Sequence, residues 1–572
     1  MKVRKFLSEV CMARTVAIGI QDFAQIVENK YFYIDKTGFI KEWWESGDNA
    51  TLITRPRRFG KTLNLNMLDY FLSIKHANRG DLFESLSIWK EEKYRLLQGT
   101  YPVISLSFAR VKANNYTTAR ENICEILTNL YIEHYFLRDS EVLTDKDREY
   151  FDRISMDMRD SDATTALHQL SDFLYRYYRK KVIILVDEYD TPMQEAYVYG
   201  YWDEMVTFTR SLFNSTFKTN PYLEKALMTG ITRVSKESMF SDLNNLEVVT
   251  ITSDKYATSF GFTEQEVMAA LEEYLLENEF EDVKYWYDGF RFGNCSDIYN
   301  PWSILNYLSK RKLENYWVNT SSNSLAGKLI QKGNKSIKLS FETLLEGGTI
   351  HCPIDEQIVF NQLDDNETAI WSLLLASGYL KVLSREDPRF VEDPMYDLCL
   401  TNREVQRMFR NMVRGWFKRS AGDYNDFIKS LLQDDLEAMN AYMNRVAFRT
   451  FSYFDTGNSI LGEETERFYH GFVLGLIVDL GKEYIITSNR ESGFGRYDVI
   501  LEAKDKQKDS FIFEFKVHNK KKENTLEDTV VAALQQIEDK QYEADLIIRG
   551  VSKERIRKYG FAFEGKTVLI GQ

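Results

Sequence analysis

The segment Thr51–Leu65, TLITRPRRFGKTLNL, limits the fold more than any other stretch of this chain. Thr51–Thr54 reads as a buried strand, a tight loop follows, and a helix opens at Lys61. A strand that passes through a loop into Gly-Lys-Thr is the construction of a phosphate-binding loop. Backbone N–H groups and the positive end of the helix face a polyphosphate, Lys61 reaches its outer phosphates, and Thr62 offers a hydroxyl to Mg²⁺. Arg57, Arg58, Phe59 and Gly60 complete the loop, with Pro56 stiffening it and the arginines adding positive charge. The full pattern wants a glycine five residues before Gly60, where this chain has Arg55. An ordinary strand–loop–helix junction is the competing reading.

Lys181–Pro192, KVIILVDEYDTP, supplies the second half. Val182–Val186 is an apolar run without alternation, as expected of a parallel strand covered on both faces. It ends in Asp187-Glu188, and open α/β sheets place ligands at the carboxyl ends of such strands. In a nucleotide site Asp187 would hold Mg²⁺ and Glu188 would polarise the attacking water. A solvated acidic loop is the alternative, but an upstream Gly-Lys-Thr in the right order favours the nucleotide site.

IGIQDFAQIVENKYFYIDKTGFIKEWW, which runs on to the TRPRRFGKT loop, resembles the start of the AAA-ATPase-like family of bacterial proteins. Members typically carry a PD-(D/E)XK nuclease-like domain at the C-terminus. The resemblance covers Ile18 to about Val249 and includes Asp35-Lys36. It implies an ATP-binding P-loop fold, and the missing first glycine is usual in that family.

At 572 residues the chain expects two to four domains. Hydrophobic residues at 44% and aromatics at 14% are ample for folded cores. A net charge of −13 offers no global attraction to nucleic acid, so any such contact needs a local basic groove. The five cysteines are scattered without Cys-x-x-Cys, which fits reduced cytosolic thiols and excludes a zinc ribbon. Glu9 and Arg14 interrupt any apolar N-terminal segment, and no run of membrane-spanning length occurs. The expectation is a cytoplasmic protein with no membrane association.

The fold expected is α/β: a P-loop parallel sheet at 15–255, a helical lid at 256–345, a helical connector with a winged-helix candidate at 346–455, and a C-terminal α/β nuclease-like domain at 456–572. Tyr101–Phe108 and Glu224–Gly230 read as further parallel strands. Thr229, at the end of the latter, matches the position of a γ-phosphate sensor. Arg233 could stabilise phosphoryl charge, in cis or across the interface of a homo-oligomer, or be a surface ion-pair residue. From Phe260 the pattern turns helical, with the capping box Thr263-x-x-Glu266 and a turn at Tyr287-Asp288-Gly289. Trp371–Phe409 reads as helix, strand pair and helix, and 415–450 as amphipathic helix.

The C-terminal segment has its own constellation. ESGFGRYDVILEA puts Asp498 in a strand, and DSFIFEFKV sets Glu514 and Lys516 two residues apart on one strand face, opposite Phe511, Phe513 and Phe515. This is the Asp…Glu-x-Lys arrangement of PD-(D/E)XK nucleases, with Tyr497 replacing the proline. Two carboxylates hold Mg²⁺ or Mn²⁺ at the scissile phosphate, and the lysine acts on the attacking water. A solvent-facing hairpin carrying the same residues is the alternative. Upstream, Glu463, Glu466 and His470 share a helix face, and Glu466 is the expected extra metal ligand. Downstream, Gln536 and Tyr542 match the helix that backs such centres. KVHNKKK at Lys516–Lys522 could grip a phosphate backbone or be a solvated loop. The function expected is an ATP-binding, ATP-hydrolysing switch coupled to a metal-dependent nuclease acting on DNA or RNA. The alternative is a nucleotide-gated interaction module whose nuclease fold only binds.

Overall fold

The computed structural model describes residues 13–233, 243–320, 324–332, 335–356, 363, 366–386, 391, 394–417, 424–450, 473, 477, 480, 483–488, 491–492, 495–496, 498–520, 522–565 and 567–572. By compactness these fall into two units, Met1–Leu329 with Gly347–Met408, and Ile330–Glu346 with Phe409–Gln572.

The first unit is built on β1 (Ala50–Thr54), β2 (Val103–Ser107), β3 (Val182–Asp187), β4 (Leu223–Gly230) and β5 (Leu246–Val249), parallel throughout in the order β2-β3-β4-β1-β5. Every residue of β1 and β3 is buried, as a sheet covered on both faces requires. The register places Ile53 beside Thr229 and Val186 beside Met228, so the carboxyl ends of β1, β4 and β3 lie side by side. The helix Lys61–Leu72 leaves β1 as expected.

The helical lid expected over 256–345 contains strands as well as helices. The capped helix Glu264–Glu273 is there, with both arms of its Thr263/Glu266 box formed. Beside it stands a small antiparallel sheet of β6 (Phe262–Thr263), β7 (Phe290–Phe292) and β8 (Cys295–Tyr299), in the order β6-β8-β7. The FRFGNCSDIY stretch forms this hairpin because Gly293, at φ +54°, turns the chain against Asp254, where a Cβ would come within 2.3 Å. Next come β9 (Ile350–Pro353), the helix Glu367–Ala376, β10 (Leu380–Arg385), β11 (Met395–Leu400) and the helix Arg403–Phe417. The expected helix, strand pair and helix are present, and β9 joins the pair as a third strand in the order β10-β11-β9.

In the second unit, the amphipathic helix expected over about 415–450 is interrupted among the described residues: after the end of the Arg403–Phe417 helix come Tyr424–Gln433 and Leu436–Thr450, separated at Asp434 with φ +59°. The helix Lys335–Leu345 meets the 409–410 segment, with Phe341 edge-on to Phe409 at 5.0 Å and the Arg410 guanidinium donating to the Leu345 carbonyl. After β12 (Tyr484–Ser488) and the short pair β13 (Glu491–Ser492) and β14 (Gly495–Arg496) come β15 (Val499–Ala503), β16 (Ser510–Val517), β17 (Ile556–Glu564) and β18 (Thr567–Gly571). The sheet order is β12-β15-β16-β17-β18, with β16 and β17 parallel and the other pairs antiparallel. Phe511, Phe513 and Phe515 pack with Tyr559, Phe561 and Phe563 in one core. Ile512, on the other face, packs with Ile500, Ile537 and Tyr542. The polar face expected of β16 is therefore an interior face. No described helix is long and apolar enough to cross a membrane.

Candidate functional site

Gly60 caps the Lys61–Leu72 helix at φ +82°, the left-handed conformation that glycine adopts without a Cβ penalty. Asn64 N donates back to the Gly60 carbonyl at 2.9 Å, so the first helical turn starts at the loop. The Lys61 side chain is 7% exposed, and its ammonium donates to the carbonyls of Arg55 and Pro56 at 2.8 Å each. Burial lowers its pKa to about 8, against the raising influence of Asp187, Glu188 and Asp190. The ammonium is thus held by two backbone carbonyls within electrostatic reach of three carboxylates.

Arg55 explains why this loop dispenses with its first glycine. The side chain is wholly buried, and the guanidinium donates to the carbonyls of Thr54, Thr250 and Lys255 while lying over the Phe292 ring at 4.5 Å. Burial without an ion-pair partner among the described residues lowers its pKa to about 9. Arg55 thus fastens the loop to the segment after β5. Of the other loop residues, Arg57 and Arg58 are exposed, and Arg58 lies over Trp302 at 4.4 Å. The Arg57 carbonyl accepts from Asn300 Nδ2 and Trp317 Nε1. Phe59 turns its ring inward onto Phe290 and Phe292, so only its backbone faces the loop.

Asp187 ties the motif together. Its Oδ2 accepts from the Thr62 hydroxyl at 2.7 Å and its Oδ1 from the Thr229 hydroxyl at 2.6 Å. Glu188 follows at φ +50°, a conformation costly for a side chain with a Cβ, and its Oε2 accepts from Thr191 Oγ1. Arg233 lies elsewhere: it lines a small cavity with Thr54, Thr250, Thr252 and Glu356, and its charge acts on Glu356. The geometry thus joins Lys61, Thr62, Asp187 and Thr229, with Glu188 next to them, and leaves Arg233 outside that group.

Asp190 and Glu404 were not singled out from the sequence. One oxygen of Asp190 accepts from Ile231 N, Thr232 N and the Thr232 hydroxyl, holding the end of β4 against the acidic loop. Its place in Asp-Glu-Tyr-Asp, three residues past Asp187, was the available signal. Glu404 is 1% exposed and accepts from the N–H groups of Tyr316, Trp317 and Val318 and from the Ser303 hydroxyl. Burial pushes its pKa up to about 7 despite those donors. It fixes the backbone that aims the Trp317 indole at Arg57. No local pattern announces a contact of that sequence separation.

In the second unit Asp498, Glu514 and Lys516 come together. Asp498 Oδ2 accepts from Phe515 N at 2.8 Å, which seats it beside β16. Glu514 is 2% exposed and accepts from Gln536 Nε2, while Gln536 Oε1 receives the Lys516 ammonium at 2.7 Å. Tyr542 OH accepts from the same Gln536 amide, and burial raises its pKa with Glu514 and Asp498 adding to the effect. Gln536 is positioned by the Leu526–Asp539 helix, which starts at a Thr525/Asp528 capping box and packs tightly on β17 at Gly560. Burial of Glu514 excludes the solvent-facing hairpin. Glu466, with Glu463, His470 and Tyr497, lies outside the described residues. Among the described residues there is no group of three metal-binding side chains. The two carboxylates supply the hard oxygen donors that Mg²⁺ or Mn²⁺ take, as Thr62 and Asp187 do in the first unit.

Residues 17–240 match the family model for a predicted AAA-ATPase, and residues 464–572 that of the PD-(D/E)XK nuclease superfamily. An uncharacterized protein in the vnfD 5' region of Azotobacter chroococcum mcd 1 is 26% identical over 395 residues, 69% of this chain and 68% of that protein. Among solved structures, the Aeropyrum pernix ORC2 protein in its ADPNP-ADP complexes is 10% identical over 72% of this chain and 98% of that one. Its TM-score of 0.22 is too low for either fold or function to rest on it. The chain therefore carries an AAA-ATPase-like segment at its N-terminal end and a PD-(D/E)XK nuclease superfamily domain at its C-terminal end.

Proposed function

We propose that the chain binds and hydrolyses ATP at the Lys61 loop and uses the nucleotide state to control a metal-dependent nuclease centred on Asp498, Glu514 and Lys516. The observation that carries the first half is Asp187, whose two oxygens meet the hydroxyls of Thr62 and Thr229. Lys61 neutralises phosphate charge, Thr62 and Asp187 would hold Mg²⁺, and Thr229 reports on the outermost phosphate from the neighbouring strand. Glu188 orients the attacking water and accepts its proton.

The second half rests on a buried carboxylate joined to a lysine through one amide, Glu514 to Gln536 to Lys516. Asp498 and Glu514 would hold a divalent cation, which supplies Lewis-acid activation of a phosphodiester. Lys516, oriented by Gln536, positions the attacking water and offsets the charge that develops on the phosphate. DNA or RNA is the proposed substrate class.

Cleavage of labelled DNA and RNA should be measured with Mg²⁺ or Mn²⁺, alongside metal binding by calorimetry. Asp498→Ala and Glu514→Ala should lose both metal and cleavage. Lys516→Ala should keep the metal and lose cleavage. A parent protein that binds nucleic acid and metal but yields no product would replace the nuclease with a binding module.

A further inference from the structure

A cavity of about 200 Å³ opens in the first unit between the segment after β5, the β7–β8 hairpin and the β10–β11 pair. Its walls carry Thr252, Asp254, Arg291, Asn294, Arg385 and Tyr396, none of which belongs to the nucleotide group described above. Two guanidinium groups in one crevice are notable in a chain of net charge −13.

Arg291 donates through Nε to the Gly293 carbonyl and through Nη1 to the carbonyls of Val382 and Leu383, where a bulge interrupts the β10–β11 register. These bonds fix the guanidinium and leave Nη2 uncommitted among the described residues. Arg385, across the register from Tyr396, lies over that ring at 5.2 Å. Neither arginine has an ion-pair partner among the described residues. The one carboxylate in the wall, Asp254, accepts from Asn294 N and Nδ2, one bond to each oxygen. The nearby Glu356 faces the adjoining small cavity, where Thr250 and Thr252 hydroxyls hold it and burial raises its pKa. Asp254 is thus engaged by neutral donors, Glu356 also feels the charges of Arg233 and Arg385, and the Arg291 guanidinium has no ion-pair partner among the described residues.

We propose that this crevice binds a small phosphorylated anion, held by Arg291 and Arg385 with the second Nδ2 hydrogen of Asn294 as a neutral donor. At about 30 Å³ per water the cavity has room for roughly seven waters, enough for a diphosphate but below the ~300 Å³ of larger ligand pockets. Planar guanidinium forks suit phosphoryl oxygens bidentately. The crevice also adjoins the phosphate loop: Thr252 lines both this cavity and the one that reaches Thr54 and Arg233, and Arg55 grips the carbonyls of Thr250 and Lys255 on either side of it.

Pyrophosphate is the probe, and calorimetry on the full chain is the test. Because pyrophosphate would also enter the Lys61 loop, the titration is run in the Lys61→Ala background. One molecule should bind there, and Arg385→Gln, at an exposed position, should weaken it about tenfold or more, the scale of one charge-assisted contact. Arg291→Lys, which keeps charge but not the fork, should weaken it as well. Absence of binding in the Lys61→Ala background, or unchanged binding in Arg385→Gln with an unaltered melting temperature, overturns the site. Failure of the ATPase reading would appear separately, as ATP affinity that Lys61→Ala leaves intact.

Discussion

Lys61 is held by two backbone carbonyls at a pKa of about 8, well under the ordinary 10.5. Between those two values the unfolded chain binds more protons than the folded one, so this residue's contribution to stability rises with pH across that window and is least favourable below it. Lys61→Met should therefore stabilise the fold at pH 7 by about 1 kcal/mol, part of the desolvation cost being returned by the carbonyl partners. The gain should fade by about pH 10, while ATP binding is lost at both pH values. Urea unfolding at the two pH values checks this, and a variant less stable than the parent at pH 7 would contradict it. At Glu188, held in a left-handed conformation beside Asp187, the expectation is kinetic. Glu188→Gln should leave ATP affinity unchanged and slow turnover about a hundredfold. Turnover at the parent rate would make Glu188 a bystander.

Among the elements, the Arg403–Phe417 helix has the most to say about the nucleotide loop, through Glu404. Glu404→Ala removes the acceptor from the Tyr316 and Trp317 N–H groups and should cost about 3 kcal/mol, with ATP affinity falling as Trp317 releases the Arg57 carbonyl. In the parent, Glu404 titrates near pH 7 instead of near 4.5, so the folded state binds the extra proton and stability falls as pH rises between those values. Glu404→Gln should remove that slope, which urea midpoints at pH 5 and pH 8 would reveal. Such a residue lies beyond sequence reading because its partners are 86 to 101 positions away. What the sequence does show follows the same logic in reverse. β3 is readable because burial on both faces writes a continuous apolar run from Val182 to Val186, and the Lys61 and Leu526 helices because their starts are local. The β6-β8-β7 sheet is obscured because its strands are two, three and five residues long, too short for alternation to show. Glu514 reads as surface in an alternating strand, since only the Gln536 helix laid over it makes that face interior.

For the molecule as a whole, the proposal puts two phosphate chemistries in one chain, and their coupling is measurable. If nucleotide state governs the nuclease, ATP with Glu188→Gln should shift the rate of metal-dependent cleavage, and Lys61→Ala should abolish that shift while leaving metal binding at Asp498 and Glu514 intact. Equal cleavage rates with and without ATP in both variants would make the two ends independent. The chain path has its own consequence. Residues 330–346 belong with the C-terminal unit, yet 347–408 return to the first, so the backbone changes units three times. A protease that cuts once between residues 347 and 408, or a truncation that begins at residue 409, strands the helix bearing Phe341 on the wrong fragment and takes Phe341 from Phe409 and the Leu345 carbonyl from Arg410. Limited digestion should accordingly give nicked but co-purifying fragments, and an isolated C-terminal piece should become soluble only when the 330–346 peptide is supplied with it.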